Sequence, residues 1–233
     1  DGFTIATPAK THFEIAKKII EAKKHVLIEK PMTLSIKDAK ELVNLATVNK
    51  VNAMVGHVLL FHPAIIKIKE IIANGDIGDL QYIYSNRLNL GKVRTEENVF
   101  WSLAPHDIAI FQYLTASIPR KISARGSTFL QKGIPDSTLT QLEYKNGVQG
   151  HIFVSWLHPF KEHRLVVVGS EAMISFEDSS NEKPLKFYSK KIDLKSGVPE
   201  KINGPVEIIS FEKRMPLEIE LEYFINHLGE RRP

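Results

Sequence analysis

Cysteine is absent from the 233 residues, which excludes disulfides, thiolate metal sites and cysteine nucleophiles. No run approaches the roughly 18 to 20 consecutive apolar residues of a membrane-spanning helix. The opening Asp1-Gly2-Phe3 lacks the basic head and long apolar centre of a signal peptide. A cytoplasmic address with no membrane partner is therefore the default expectation. The 9 histidines show no paired ligand spacing, so no metal site is expected. Charge of one sign is also lacking, since 31 Lys and Arg face 27 Asp and Glu for a net +4. Lysines such as Lys17, Lys18, Lys23 and Lys24 are scattered over helix-like segments, which suits solvated faces rather than a nucleic-acid groove. Internal repeats and low-complexity tracts are missing, and so is any glycine-rich phosphate turn of the GxGxxG type. What is present, 43% hydrophobic and 25% charged residues, is the make-up of an ordinary globular protein of one or two domains.

The most informative stretch is His25-Val26-Leu27-Ile28-Glu29-Lys30-Pro31, an apolar run that ends in an acid, a base and an imino acid. Such a run between charged helices predicts a short strand buried on both faces, because a parallel strand covered by helices needs no polar alternation. Ligands of open parallel sheets sit outside the carboxyl ends of the strands, so Glu29 and Lys30 become candidate site residues. Before it, residues 3–6 read as a strand ending at Thr7-Pro8. Thr11 with Glu14 gives a capping-box signature for a helix carrying Phe13, Ala16, Ile19 and Ile20. After it, Ser35 with Asp38 starts a second helix, and residues 51–55 form a further strand. Strand, helix, strand, helix, strand with short connections predicts a parallel, right-handed α/β unit, the second half of a Rossmann-type doubly wound sheet, over residues 1–57.

Beyond Gly56-His57 the pattern changes. Pro63 opens a helix closed by Gly75 and Gly78, and from Leu80 the chain alternates with a period of two. A helix is predicted over residues 107–114, then strands near 121–129, 138–144, 149–156, 164–168 and 173–176, with Asn146-Gly147 as a hairpin turn. An amphipathic helix over 217–228 follows. Residues 58–233 thus read as an α+β domain with a large, mostly antiparallel sheet and helices on one face. Both ends read as cut. Residues 3–6 open inside a strand with nothing before it to pair, and Arg231-Arg232-Pro233 follows directly on an apolar helix.

Three motifs in order, Thr7-Pro8-(x3)-His12, His25 to Pro31, and Gly56-His57-(x3)-Phe61-His62-Pro63-Ala64, resemble the Gfo/Idh/MocA family of oxidoreductases. The similarity extends over essentially the whole chain. It implies a dinucleotide-binding fold, a C-terminal sheet domain, and hydride transfer between a nicotinamide, NAD or NADP, and a sugar or cyclitol hydroxyl. It also implies a first strand, a glycine-rich turn and a ribose-binding acid, none of which these residues contain. By the resemblance Lys30 lies beside the nicotinamide and the reacting hydroxyl, and Glu29 lies near the nicotinamide ribose. A cation there suits the chemistry, because hydride leaves a carbinol as a carbonyl only if the hydroxyl proton departs too. Thr7, Pro8, His12, His57 and Trp101 match cofactor-side positions, although His12 and His57 could equally be satisfied turn histidines.

A second constellation is Trp101-Ser102-Leu103-Ala104-Pro105-His106-Asp107, where the family commonly has an aspartate and, four residues later, a histidine. His106 matches the histidine, a suitable general base because its reference pKa is about 6.5. Ser102 stands at the aspartate position and cannot hold a negative charge. Asp107 reads either as a helix N-cap or as a group orienting the imidazole. Upstream, Arg87, Asn89, Arg94 and Asn98 suit an anionic or polyhydroxylated ligand, since guanidinium forks bind phosphate bidentately and amides serve hydroxyls. The alternative is that Arg87 and Arg94 are surface or interface salt-bridge partners. This segment together with the Trp101 motif is similar to the family's nucleotide-sugar branch.

The expectation is an NAD(P)-dependent dehydrogenase for a secondary hydroxyl of a sugar, specifically a nucleotide sugar at C3, with Lys30 and His106 catalytic. A small-molecule sugar partner and a homodimer or homotetramer through the C-terminal sheet go with it. The rival expectation is a non-catalytic relative that senses a ligand or serves assembly, favoured by Ser102 and by the missing turn.

Overall fold

The computed structural model describes residues 1–230; Arg231, Arg232 and Pro233, read above as a cut edge, lie outside the described residues. The described residues form two compact units, residues 1–62 with 213–230 and residues 63–212. The first unit thus includes the C-terminal helix.

In the first unit, β1 (Gly2–Ile5), α1 (His12–Glu21), β2 (His25–Glu29), α2 (Ile36–Asn49) and β3 (Ala53–Gly56) alternate as predicted. The three strands pair in parallel in the order β1-β2-β3. Ile5, Val26 and Ile28 pack with Ala16 and Ile20 of α1 and Leu42 and Ala46 of α2 into one buried cluster. The spacing of those helix residues puts them on one face of each helix, and both helices cover the sheet face that carries Val26 and Ile28, while Leu27, also buried, points to the other face. Ser35 caps α2 as expected, its hydroxyl accepting from the Asp38 backbone N–H. The predicted capping box on α1 does not form. Thr11 makes no cap bond, because its hydroxyl instead donates to the Pro8 carbonyl at 2.8 Å across a short 3₁₀ turn.

In the second unit, α3 (Pro63–Ala73) leads into β4 (Leu80–Leu90), then α4 (Val99–Thr115), then β5 (Lys121–Ser127), β6 (Ser137–Glu143), β7 (Gln149–Ser155), β8 (Leu157–Gly169), β9 (Met173–Glu177), β10 (Leu185–Asp193) and β11 (Glu200–Ile208). These strands form one sheet, ordered β11-β10-β9-β8-β4-β7-β6-β5. All pairings are antiparallel except β4 with β7. β4 is central, so its residues are read on both faces. Ile83, Ser85 and Arg87 are buried, in register with Gly150, Ile152 and Val154 of β7. Gly150 allows the close approach of α4, for a Cβ there would meet the Phe111 ring at 3.1 Å. On the opposite face lie Tyr82, Tyr84 and Phe153, with Tyr84 stacked on His151 at a centroid distance of 5.0 Å.

Two departures from the sequence reading bear on the site. The α4 helix starts at Val99 rather than Asp107, with Asn98 as its N-cap, and it runs through Pro105. That proline, which costs one helical hydrogen bond, hides the true start from a pattern-based reading. Strands β10 and β11 fall where the pattern assigned nothing; their lysines and glutamates, such as Lys190, Lys191, Lys201 and Glu207, break the apolar alternation of an edge hairpin. The α5 helix (Pro216–Asn226) closes the described chain and packs on the 3₁₀ turn Val58–Phe61 of the first unit. No helix of the described residues is long and apolar enough to cross a membrane.

Candidate active site

Three strand ends meet at one edge of the first unit. The register pairs Ile5 with Ile28 and Glu29 with Gly56, so Ala6-Thr7, Glu29-Lys30 and Gly56-His57 leave the sheet side by side. This is the carboxyl edge, where the loops after parallel strands converge and ligands bind.

Thr7 and Thr11 share a hydrogen bond of 2.7 Å between their hydroxyls. Thr11 spends its single proton on the Pro8 carbonyl, so Thr7 is the donor in that pair and presents lone pairs to solvent. His12, 1% exposed, has Nδ1 2.8 Å from the Pro31 carbonyl oxygen and Nε2 2.8 Å from that of Thr7. It ties the turn after β1 to the turn after β2, so both ring nitrogens are engaged by the backbone. Pro8 sits before the 3₁₀ turn at φ −58°, the value its ring favours. The Lys30–Pro31 peptide is cis.

Glu29 is half-buried and lies over the end of β3. Its carboxyl carbon would be 3.4 Å from a Cβ placed on Gly56, which is buried beneath it. A larger residue at 56 would press on that carboxylate. His57 has a buried Nδ1 with no hydrogen-bond partner. Burial first, and the Lys30 ammonium second, hold the His57 ring below its ordinary pKa, with Glu29 opposing. The edge therefore offers a hydroxyl oxygen, a carboxylate, an ammonium and a neutral imidazole. That set fits the ribose and amide of a nicotinamide: vicinal hydroxyls donate to a carboxylate, and a buried ring nitrogen can take one partner more.

In the second unit the Trp101 motif lies on the first turns of α4. Asn98 Oδ1 accepts from the Trp101 backbone N–H at 3.1 Å, so Asn98 caps the helix. Trp101 is 57% exposed. Ser102 and His106 are half-buried and, four residues apart, share one stripe of the helix. Asp107 is not the N-cap that the sequence suggested. It faces the sheet, 3% exposed, and takes a two-pronged bond from Arg87, with Nε–Oδ2 at 2.9 Å and Nη2–Oδ1 at 3.1 Å. Arg87, expected among the ligand-binding residues, is thereby held inside the layer between α4 and the sheet. It is a salt-bridge partner, but in the buried layer rather than at a surface or interface. Burial alone would weaken its charge, but Asp107 outweighs that and raises its pKa. Arg94 remains about half exposed, 3.9 Å from Glu97, and Asn89 is half-buried at the end of β4.

Three groups were missed by the sequence reading. His163 of β8 stands opposite Arg87 in the β4–β8 register; burial first and Arg87 second bring its pKa down to about 4. Asp136, fully buried, accepts from the backbone N–H groups of Phe129 and Leu130 and from Trp156 Nε1 at 2.6 Å. The loop so held braces the start of α4, since the Pro135 carbonyl accepts from the Val99 N–H. Glu220 of α5, 0% exposed, has neither carboxyl oxygen hydrogen-bonded. Only Glu220 left a trace in the sequence, an acid four residues before Phe224 on the inward stripe of a helix. Among the described residues no group of three or more His, Asp or Glu could hold a metal ion.

Residues 1–57 match a family model described as oxidoreductase family, NAD-binding Rossmann fold, and residues 65–175 match the GFO/IDH/MocA C-terminal domain. The whole chain is 27% identical to a UDP-N-acetylglucosamine 3-dehydrogenase of Acidithiobacillus ferrooxidans, covering 72% of it. A solved structure of that name from the same organism is similar with a TM-score of 0.84 at 26% identity, covering all of this chain and 72% of the other. The chain is also 28% identical, over 75% of its length, to a scyllo-inositol 2-dehydrogenase (NAD(+)) of Bacillus subtilis, of which it spans about half, 54%. An inositol dehydrogenase homolog of Azotobacter vinelandii, solved with NADH and myo-inositol, shares the fold at a TM-score of 0.76 and 20% identity, with 91% of this chain and 57% of the other covered.

Proposed function

Since the chain belongs to the GFO/IDH/MocA family of oxidoreductases, we propose that it serves hydride transfer between a nicotinamide, NAD or NADP, and a secondary hydroxyl of a sugar. The observation that carries this reading is the convergence of Thr7, Glu29-Lys30 and Gly56-His57 at one carboxyl edge of a parallel sheet. A bound nicotinamide would supply the hydride acceptor. Glu29, seated over Gly56, would accept hydrogen bonds from the ribose hydroxyls, and Thr7 would add an acceptor beside it. Lys30 would orient the substrate hydroxyl and stabilise alkoxide character as the bond to hydrogen weakens, since a nearby cation lowers the cost of that developing charge. His106 would take the hydroxyl proton, so that hydride and proton leave the carbinol together and a carbonyl remains.

The finer reading is a nucleotide sugar oxidised at C3. It rests on similarity to the UDP-N-acetylglucosamine 3-dehydrogenase across the whole chain, and on Arg94, whose guanidinium is exposed and suits a diphosphate. Trp101, 57% exposed and seven positions further on, adds an aromatic face. Ser102, where the family commonly carries an aspartate, favours a second reading in which the chain binds a ligand without turning it over.

Association of two copies through the uncovered face of the large sheet belongs to the same reading. That face carries Tyr82, Tyr84, Phe153 and Leu139, with Tyr82 and Leu139 at 39% and 45% exposure, and exposed apolar patches of several hundred Å² are commonly buried in symmetric interfaces.

The test is Lys30→Ala in the protein's full chain, followed by nicotinamide absorbance with a nucleotide sugar, the free sugar and myo-inositol as substrates. Turnover should fall by at least roughly 100-fold, the scale of one positioned acid-base or electrostatic group. Turnover near that of the parent would remove Lys30 from the mechanism, and no turnover in the parent would favour the ligand-binding reading.

A further inference from the structure

The loop between β5 and β6, residues 128–136, is held by one buried carboxylate rather than by burial of its own apolar side chains. Phe129 and Leu130 stay 69% and 54% exposed, so hydrophobic packing does little to fix the segment. Asp136, 0% exposed, fixes it instead. Its Oδ2 accepts from the Phe129 and Leu130 backbone N–H groups at 2.7 and 2.9 Å, and its Oδ1 accepts from Trp156 Nε1 at 2.6 Å. Its backbone is tied as well: the N–H donates to the Ser127 carbonyl at 2.8 Å, and the carbonyl accepts from the Trp156 N–H at 3.3 Å and the Ser155 hydroxyl at 3.2 Å. Burial would raise the pKa of this carboxyl, but the three donors outweigh it and hold the group below the usual range.

The clamped loop reaches the segment that leads into α4. Gln131 Nε2 donates to the Arg94 carbonyl at 2.9 Å, and the Pro135 carbonyl accepts at 3.1 Å from the N–H of Val99, the first residue of α4. From the other side the Gly91 N–H donates to the Trp156 carbonyl at 3.3 Å. Residues 91–99 are thus pinned at both ends and in the middle. Each pin leads back to Asp136 or to the tryptophan it holds. The Arg94 side chain is itself 48% exposed, with Glu97 3.9 Å away, so its direction follows from the backbone that carries it.

We propose that Asp136 is a positioning residue for Arg94: with Trp156 and Gln131 it fixes the backbone of residues 91–99, so that the Arg94 guanidinium is presented to the diphosphate of a nucleotide sugar. The proposal rests on the reading of the ligand as a nucleotide sugar. A guanidinium on a free loop has to be ordered when the ligand binds, and immobilising one rotamer-rich side chain with its loop lowers affinity by roughly tenfold. A loop clamped in advance has met that cost during folding.

The test is a double-variant cycle on UDP affinity, measured by calorimetry in the protein's full chain. UDP undergoes no hydride transfer, so the outcome is separable from that of the dehydrogenase reading. Arg94→Ala should weaken UDP binding at least roughly 10-fold, the scale of losing one charge-assisted contact. Asp136→Asn keeps the shape but turns one of two acceptors into a donor, so it cannot serve Trp156 and the loop N–H groups together. Gln131→Ala cuts only the link to Arg94. Each should weaken UDP binding by roughly tenfold, and in either background Arg94→Ala should add less than about threefold, because the losses pass through the same guanidinium. A brace that served stability alone would shift the urea midpoint and leave UDP affinity as it was. Unchanged affinity in any of the three single variants, additive losses in the cycle, or a parent that binds no UDP would overturn the proposal. Turnover of a free sugar or myo-inositol by that same parent would leave the dehydrogenase reading standing. If Asp136→Asn does not fold, the Gln131→Ala cycle decides.

Discussion

The buried pair of Arg87 and Asp107 joins the central strand of the large sheet to the helix that carries Ser102 and His106, and its removal has a calculable cost. Truncating Asp107→Ala deletes both acceptors, at 2.9 and 3.1 Å, and leaves a guanidinium whose side chain is 11% exposed with Asp178 as the remaining opposing charge. Breaking a buried pair from one side costs roughly 3–5 kcal/mol, chiefly the uncompensated charge left behind. The double variant Arg87→Met with Asp107→Leu removes both charges and fills similar volume, and should recover most of that loss, because the pair's attraction is largely offset by its own desolvation. Urea unfolding of the single and double variants measures both numbers. His163 gives an independent readout. It is held at about 4 by burial first, then by Arg87 and Lys161, against the opposing charges of Asp178 and Asp107. Removing Asp107 alone should lower its titration further, and removing Arg87 as well should raise it. A single-variant loss below about 1 kcal/mol, or a double variant as unstable as the single one, would refute the reasoning.

Two further outcomes follow from the geometry. The uncovered sheet face should bring two copies together, so sedimentation at micromolar concentration should show a dimer or a dimer of dimers, and a monomer would exclude the interface. The 233 residues hold the nicotinamide-side groups Thr7, Glu29 and Lys30 but no glycine-rich turn with backbone N–H groups for a pyrophosphate. Losing even three charge-assisted hydrogen bonds, at about 1.5 to 3 kcal/mol each, weakens binding by several powers of ten. Calorimetry of NAD against this chain should therefore show no micromolar affinity, and a micromolar constant would contradict that account.

Where the information was local, the sequence determined the outcome by itself. The run Val26 to Ile28 had to be a strand covered on both sides, because nothing polar alternates in it. The helices around it announced their inward faces by spacing, and Ser35 announced a start. The three motifs placed Thr7, Glu29-Lys30 and Gly56-His57 at strand ends, and the parallel register then set them side by side. Asn146-Gly147 likewise made the turn its chemistry demands, with Gly147 at φ +84°.

What only the tertiary structure decided depends on partners far away in the chain. Arg87 read as a ligand-binding arginine because its sequence neighbours are amides and glycine; its acceptor is 20 residues on, inside a helix whose start Pro105 concealed. Asp107 read as a cap for the same reason. Strands β10 and β11 are held by pairing with each other and with β9, not by an apolar pattern of their own. Glu220 owes its raised pKa to burial and to a carboxylate 191 positions earlier, brought near by the return of α5 to the first unit. Propensity and periodicity act over a few residues, whereas burial and charge act through space, and a linear sequence records the first directly and the second only once the chain has closed on itself.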